Sequence, residues 1–334
     1  MNKKTKKKNE IFCNSGKTSA ATPQEMSLYK ELVEEIQSWD LESQLSAVTN
    51  IRKLLSAETK PPINAFINVG VVPPLVQCLS STNQELQHEA AWCLTNIASG
   101  NVEQTKHVVE AGAVPYFIKI LNDGNNKLCE QVLWGLANIS TDNNHRELLF
   151  EKEIILEFKQ LLNSNLSNNA LKEVAQIIVN LSETKIFIKD FQKTADFLSL
   201  ILKLLQSDED EVLRKALLAI VKLTDRGPEI IQFFLENDEC ANVLCNAIMC
   251  AKKEQVQYLF NAGIGDSLCS FIESPNPEII KIIIFDLSSI LEILDEVYQE
   301  IPQQIKASLQ KSKETQGFTD PKTVELLRHF LEEL

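Results

Sequence analysis

The stretch EAAWCLTNIASGNVEQTKHVVEAGAVPYFIKIL, residues 89–121, is followed by a near copy of its opening, EQVLWGLANISTDN, residues 130–143. Trp92 and Asn96 stand one helical turn apart, as do Trp134 and Asn138, and the two pairs are 42 residues apart. The same step carries Asn138 to Asn180 and then to Lys222, and Trp134 to Gln176 and then to Leu218. VGVVPPLVQCL (69–79) matches AGAVPYFIKIL (111–121), with Gly70 and Gly112 again 42 apart. A fixed period of about 20–50 residues is the mark of stacked structural repeats.

Each unit reads as a short helix, a Gly/Pro-marked corner, a second helix, a loop, and a third helix that carries the Trp/Asn pair. Nothing alternates with period two, and 10 glycines and 11 prolines in 334 residues are few for a fold of strands and turns. A three-helix unit of this length with a sharp first corner indicates an all-α armadillo repeat, and no single unit can bury its own apolar face. The expected fold is a right-handed armadillo-repeat solenoid of about six to seven repeats with a concave inner surface. Thr22-Pro23-Gln24-Glu25 has the pattern of a capping box with proline at the first helical position. Residues 1–21 are therefore expected to be a disordered basic tail, residues 22–300 the repeats, and residues 301–334 capping helices, although the period fades beyond residue 225.

Composition narrows the function. The first 17 residues hold six lysines and one acid, leaving 27 basic against 45 acidic side chains in the remainder, a balance that repels nucleic acid and attracts cationic peptides. The longest apolar stretch, IIKIIIFDLSSILEIL, is broken by Lys281 and Asp286, so no membrane insertion is expected. The eight cysteines are scattered through apolar segments, which suits free thiols in a reducing compartment. Cys240, Cys245 and Cys250 stand five apart with no histidine close by, a poor zinc spacing, and neither metal nor cofactor is expected. His88, His107, His145 and His329 accompany no recognisable catalytic order, so the chain is not expected to be an enzyme.

A lone tryptophan on a helix is ordinarily core, and a lone asparagine ordinarily a cap or a solvated residue. Two pairs in register, with Asn180 continuing the row, reverse that expectation, because asparagine is a poor helix-interior residue. Residues four apart share a helix face, and stacking sets the pairs in parallel rows. An amide offers a donor and an acceptor to an extended backbone, whatever that peptide's side chains. Indoles one repeat apart leave slots for the stem of a lysine or arginine, with a cation–π attraction of about 0.5–2 kcal/mol at each.

Over about residues 40–150 the sequence resembles the importin-α family, the adaptors that carry nuclear-localisation-signal cargo. IRKLLSAETKPPINAFINVGVVPPLVQCL (51–79) is similar to the first repeat of that family, and the two quoted stretches to its second and third. The resemblance implies that Trp92, Asn96, Trp134 and Asn138 line a peptide groove, that Asn180 extends it, and that Gln131 also faces it. It further implies a lysine pocket from the Gly100 carbonyl, the Thr105 hydroxyl and Asp142. Lys3, Lys4, Lys6, Lys7 and Lys8 are open to three readings: a reduced importin-β-binding segment, an autoinhibitory decoy, or a solubilising tail.

The implied function is nuclear import, with lysine-rich monopartite signals bound across repeats 2–4. The implied partners are cargo, importin-β and, toward the C-terminal half, an export receptor, with shuttling between cytoplasm and nucleus. The alternative is an armadillo scaffold that holds one dedicated protein without importin-β-dependent transport. Gln176 removes one indole from the ladder, and Leu218, Lys222 and Lys215 predict that the groove ends near the fourth repeat by repelling a basic ligand.

Overall fold

The structure, a computed structural model, describes residues 21–57, 61–123, 125–151, 154–164, 166–184 and 191–224. The basic tail, the three closely spaced cysteines, the expected later repeats and the capping helices lie outside the described residues. Among those described there is no strand. Repeat 1 supplies α1 (Pro23–Ile36) and α2 (Leu41–Leu55). Repeat 2 supplies α3 (Ile63–Asn68), α4 (Val72–Cys78) and α5 (Gln84–Ala98), and repeat 3 supplies α6 (Val102–Glu110), α7 (Ala113–Asp123) and α8 (Asn126–Ile139). Repeat 4 follows with α9 (Asn143–Glu151), α10 (Ile154–Leu161) and α11 (Asn168–Leu181), and repeat 5 with α12 (Phe191–Leu204) and α13 (Asp210–Thr224). The chain divides into two compact units, Met1–Ile177 and Ile178–Leu334, and the division falls inside α11.

The helix ends explain why these segments start and stop where they do. Thr22 and Glu25 form the capping box in full: the Thr22 hydroxyl accepts from Glu25 N, and the Glu25 carboxylate accepts from Thr22 N. The third helices of repeats 1, 2 and 3 are each opened by a side-chain cap, from Asp40, Asn83 and Asn125, worth typically about 1 kcal/mol. The corners between first and second helices turn at Gly70 (φ 80°) and Gly112 (φ 82°), in the left-handed region that other residues enter only with strain. One further device recurs: Gln44 Nε2 donates to the Ile36 carbonyl at 2.9 Å, and Gln87 Nε2 to the Leu79 carbonyl at 3.0 Å. In both cases a third-helix amide reaches eight residues back to satisfy the open end of the second helix.

In the first unit each third helix is the core element of its repeat. Helix α5 packs against α2 on one side and α8 on the other, as well as on α4 and α6. It buries Leu86, Ala90, Ala91, Cys93, Leu94, Ile97 and Ala98, and α8 buries Leu128, Val132, Leu133, Leu136 and Ile139. Each large aliphatic residue so buried contributes about 1.5–3 kcal/mol. Polar bonds stitch the repeats together: Thr95 Oγ1 donates to the Gln131 carbonyl (3.2 Å), Cys93 Sγ to the Val48 carbonyl (3.5 Å), and Gln104 Nε2 to Asn64 Oδ1 (2.7 Å). In the second unit α12 packs on α13, burying Phe197, Leu200, Ile201 and Leu204 together with Val212, Ala216, Ala219 and Ile220.

Cys78, Cys93 and Cys129 are free and buried. Burial pushes the Cys78 thiol up to about 11 and the Cys93 thiol well above its ordinary value, which keeps both protonated and unreactive. No helix among the described residues is long and apolar enough to cross a membrane.

Candidate functional site

Beyond Gln84 and Gln87 near its start, the unburied residues of α5 and its cap fall on one stripe, Glu85, Glu89, Trp92, Asn96 and Ser99, at the spacing of one helix face. The corresponding stripe of α8 is Lys127, Trp134, Asn138 and Thr141. Both tryptophans thus sit on the unburied edge of helices that are otherwise core. Trp134 is 44% exposed, a large apolar surface left in water.

Trp92 is half-buried, and its neighbours are polar. The guanidinium carbon of Arg52, from α2, lies 4.5 Å from the indole centroid, within cation–π range. Arg52 Nε also pairs with Glu89 Oε2 at 2.9 Å, so the cation is held between a carboxylate and a ring. His88 meets the same indole edge-on, with centroids 5.8 Å apart. Burial is the first cause that lowers the His88 pKa, reinforced by Lys127 and Arg52 and opposed by Glu89 and Glu85. Asn96 Nδ2 donates to Ser56 Oγ at 2.9 Å, while Asn138 Nδ2 reaches only the Thr95 carbonyl at 3.3 Å. The Asn96 and Asn138 carbonyl groups each accept from a hydroxyl three residues on, Ser99 and Thr141, a further match at the 42-residue step.

Of the expected lysine pocket, Gly100 and Asp142 lie at the two corners that follow these helices, and Thr105 lies in α6 just past the first corner. Gly100 is exposed between α5 and α6, and a Cβ built there would fall 1.8 Å from Gln104 Oε1. That glutamine is folded back onto Asn101 N in a capping box, so the glycine keeps the corner open. Thr105 is only 4% exposed, and its hydroxyl donates inward to the Ala98 carbonyl at 2.9 Å, leaving its lone pairs as the acceptors. Asp142 Oδ1 accepts from Asn144 N and His145 N, which fixes the carboxylate at the start of α9. Arg146 is buried beside it and donates to the Ser140 and Thr141 carbonyls, both at 2.7 Å. Gln131 is 8% exposed, and its Nε2 has no hydrogen-bond partner among the described residues.

In the second unit Asn180 is half-buried on α11. The lysines of repeat 5 differ from expectation. Lys222 pairs with Glu183, and Lys215 with Glu211 at 3.1 Å, so both are neutralised in ion pairs rather than set to repel a ligand. The Arg52 stack was not anticipated from sequence, because it joins two repeats and leaves no local motif. A cavity of about 450 Å³ lies elsewhere, at the α1–α2 corner beside the fully exposed Trp39, and shares no residue with the ladder.

Residues 59–99 and 101–141 match the Armadillo/beta-catenin-like repeat family. Among curated relatives, the chain is 46% identical over 220 residues to importin subunit alpha-3 of Caenorhabditis elegans, covering 66% of this chain and 43% of that protein. It is 37% identical over 221 residues to importin subunit alpha-1b of Oryza sativa subsp. japonica, covering 66% and 41%. The chain therefore spans about two fifths of the length of these two relatives. Among solved structures, the designed armadillo repeat protein YIII(Dq)4CqI is similar at a TM-score of 0.53 and 26% identity, covering 80% of this chain and 99% of that one. A designed armadillo repeat protein in complex with the peptide (KR)4 matches at 0.52 and 25%, covering 79% and 98%.

Proposed function

We propose, because this chain belongs to the importin-α family, that it is a nuclear import adaptor that binds lysine-rich monopartite localisation signals as extended peptides along the third helices of repeats 2–4. The observation that carries this reading is that Trp92, Asn96, Trp134 and Asn138 share a solvent-facing stripe in the second half of helices whose other residues there are buried. A similar designed armadillo protein holds an alternating Lys/Arg peptide, which supports the ligand's chemistry.

In this reading the Trp134 ring and the free side of Trp92 flank the aliphatic stems of ligand cations. Asn96 and Asn138 hold the ligand main chain, and Asn180 continues the row by sequence register. The Gly100 carbonyl, the Thr105 oxygen and Asp142 accept the three protons of one ammonium group, whose charge-assisted bonds are worth about 1.5–3 kcal/mol. Gln131 lies beneath this stripe, with a buried Nε2 that has no hydrogen-bond partner among the described residues, and would face the ligand only once its side chain turns outward. Cargo exchange between cytoplasm and nucleus, importin-β as a partner, Lys3, Lys4, Lys6, Lys7 and Lys8 as either its docking segment or an autoinhibitory decoy for the groove, and an export receptor toward the C-terminal half complete the proposal.

The deciding experiment is titration of a fluorescent KKKRK peptide against the wild type and Asp142→Lys. Affinity is expected to fall at least about tenfold in the variant, the loss of one charge-assisted contact plus like-charge repulsion. Equal affinity for both proteins overturns the pocket assignment.

A further inference from the structure

The first rung of the ladder is already occupied. We infer that Arg52 is a built-in occupant of the slot on the α2 side of Trp92, so that the chain reads ligand cations only on the side of that indole facing repeat 3. The inference rests on the peptide-binding reading above and adds to it a boundary set by one side chain.

The geometry is that of a ligand cation caught in place. The guanidinium carbon lies 4.5 Å from the centre of the indole, and Glu89, three residues before Trp92 on the same helix, holds Nε at 2.9 Å. The two side chains are only 20% and 12% exposed, so the pair is largely withdrawn from water and is held less loosely than a surface ion pair. An incoming cation would have to displace the guanidinium from the ring and take over its carboxylate together. Asn96 is engaged from the same direction, its amide donating to Ser56 Oγ of repeat 1.

Register explains why the boundary falls here. The helix caps Asp40 and Asn83 align α2 with α5 at a step of 43 residues. That step sets Thr49 opposite Trp92 and Lys53 opposite Asn96, so repeat 1 offers neither an indole nor an amide to the row. Arg52 aligns with Thr95 of α5, whose short side chain is wholly buried and extends no cation toward Trp134. The ladder thus ends where its aromatic and amide rungs end, and the preceding repeat fills the last open ring face with a cation of its own.

The test uses the full chain and three peptides: fluorescent KKKRK, and the same peptide extended by three lysines at its N-terminus or at its C-terminus. The quantity read is the ratio of extended to short affinity in the wild type, Arg52→Gln and Arg52→Lys. Lys119→Gln, an exposed position on α7, controls for the lost charge. Arg52→Gln should raise the ratio about three- to tenfold for one of the two extensions, the value of a newly opened cation–π slot. Arg52→Lys should fall between, and Lys119→Gln should match the wild type. An unchanged ratio in Arg52→Gln overturns the inference, as does an equal loss for all three peptides, which would make Arg52 a packing residue only. A wild type blind to every peptide removes the peptide-binding reading itself, and this boundary with it.

Discussion

Helices α5 and α8 are built to one plan, yet their tryptophans live differently. Trp92 has a guanidinium on one face and an imidazole at its edge, whereas Trp134 is 44% exposed with no cation contact among the described residues. The cause lies one repeat upstream. Helix α2 carries Arg52 at the phase that meets Trp92; α5 carries Thr95 at the same phase, and its hydroxyl turns down to the Gln131 carbonyl. His88 likewise becomes Glu130 one repeat on, where the carboxylate accepts from the Ser167 hydroxyl and leaves the ring alone. Whether an indole is open is thus decided jointly by the cation that the preceding repeat supplies and by the indole's own helix, which carries Glu89 and His88 beside Trp92.

The largest expected effect is on the packing that sets this contrast. A Cβ at Gly135 would lie 2.8 Å from the ring of the fully buried Phe117 and 2.9 Å from Thr95 Oγ1. Gly135→Ala should therefore lose about 1–2 kcal/mol in urea unfolding despite the helix propensity of alanine, because overpacking costs about 1–3. A variant as stable as the wild type would show that Thr95 is not pinned between α5 and α8.

Next comes the contrast itself. Trp134→Ala should weaken KKKRK binding about tenfold and Trp92→Ala only about threefold, since one face of Trp92 is already taken. Equal losses, read by anisotropy, would erase the distinction between the two rings. The smallest effect concerns His88. Its folded pKa lies below the ordinary value of 6.5, so the unfolded chain binds the proton more readily. Its contribution to stability is present above pH 6.5 and is lost as pH falls through the folded value. Stability measured from pH 7 down to 5 should decline less steeply in His88→Phe than in the wild type; parallel profiles would assign the acid sensitivity elsewhere.

The fold was legible because its markers are residues with few substitutes. Gly70 and Gly112 occupy positive φ, the Thr22 capping box forms as its spacing requires, and the Trp/Asn pairs fall on one phase of successive helices. The chemistry around those pairs was less legible. Arg52 escaped notice because the step from repeat 1 to repeat 2 is 43 residues rather than 42, and because its partners lie 37 and 40 positions away, where no local pattern reports them. The same blindness made Lys222 read as a free repulsive charge, although Glu183, 39 residues earlier, neutralises it. Thr105 illustrates a third limit: its position was visible, but not that its hydroxyl proton is committed to the Ala98 carbonyl.

The stitching bonds carry one more implication. Those that tie α2, α3, α5, α6 and α8 together span only 36 to 45 positions of chain, so each reaches the adjacent repeat and stops. Such an architecture has no keystone. Damage at one rung is a local wound, and the ladder can be shortened or respaced by ordinary mutation while its neighbours keep their grip.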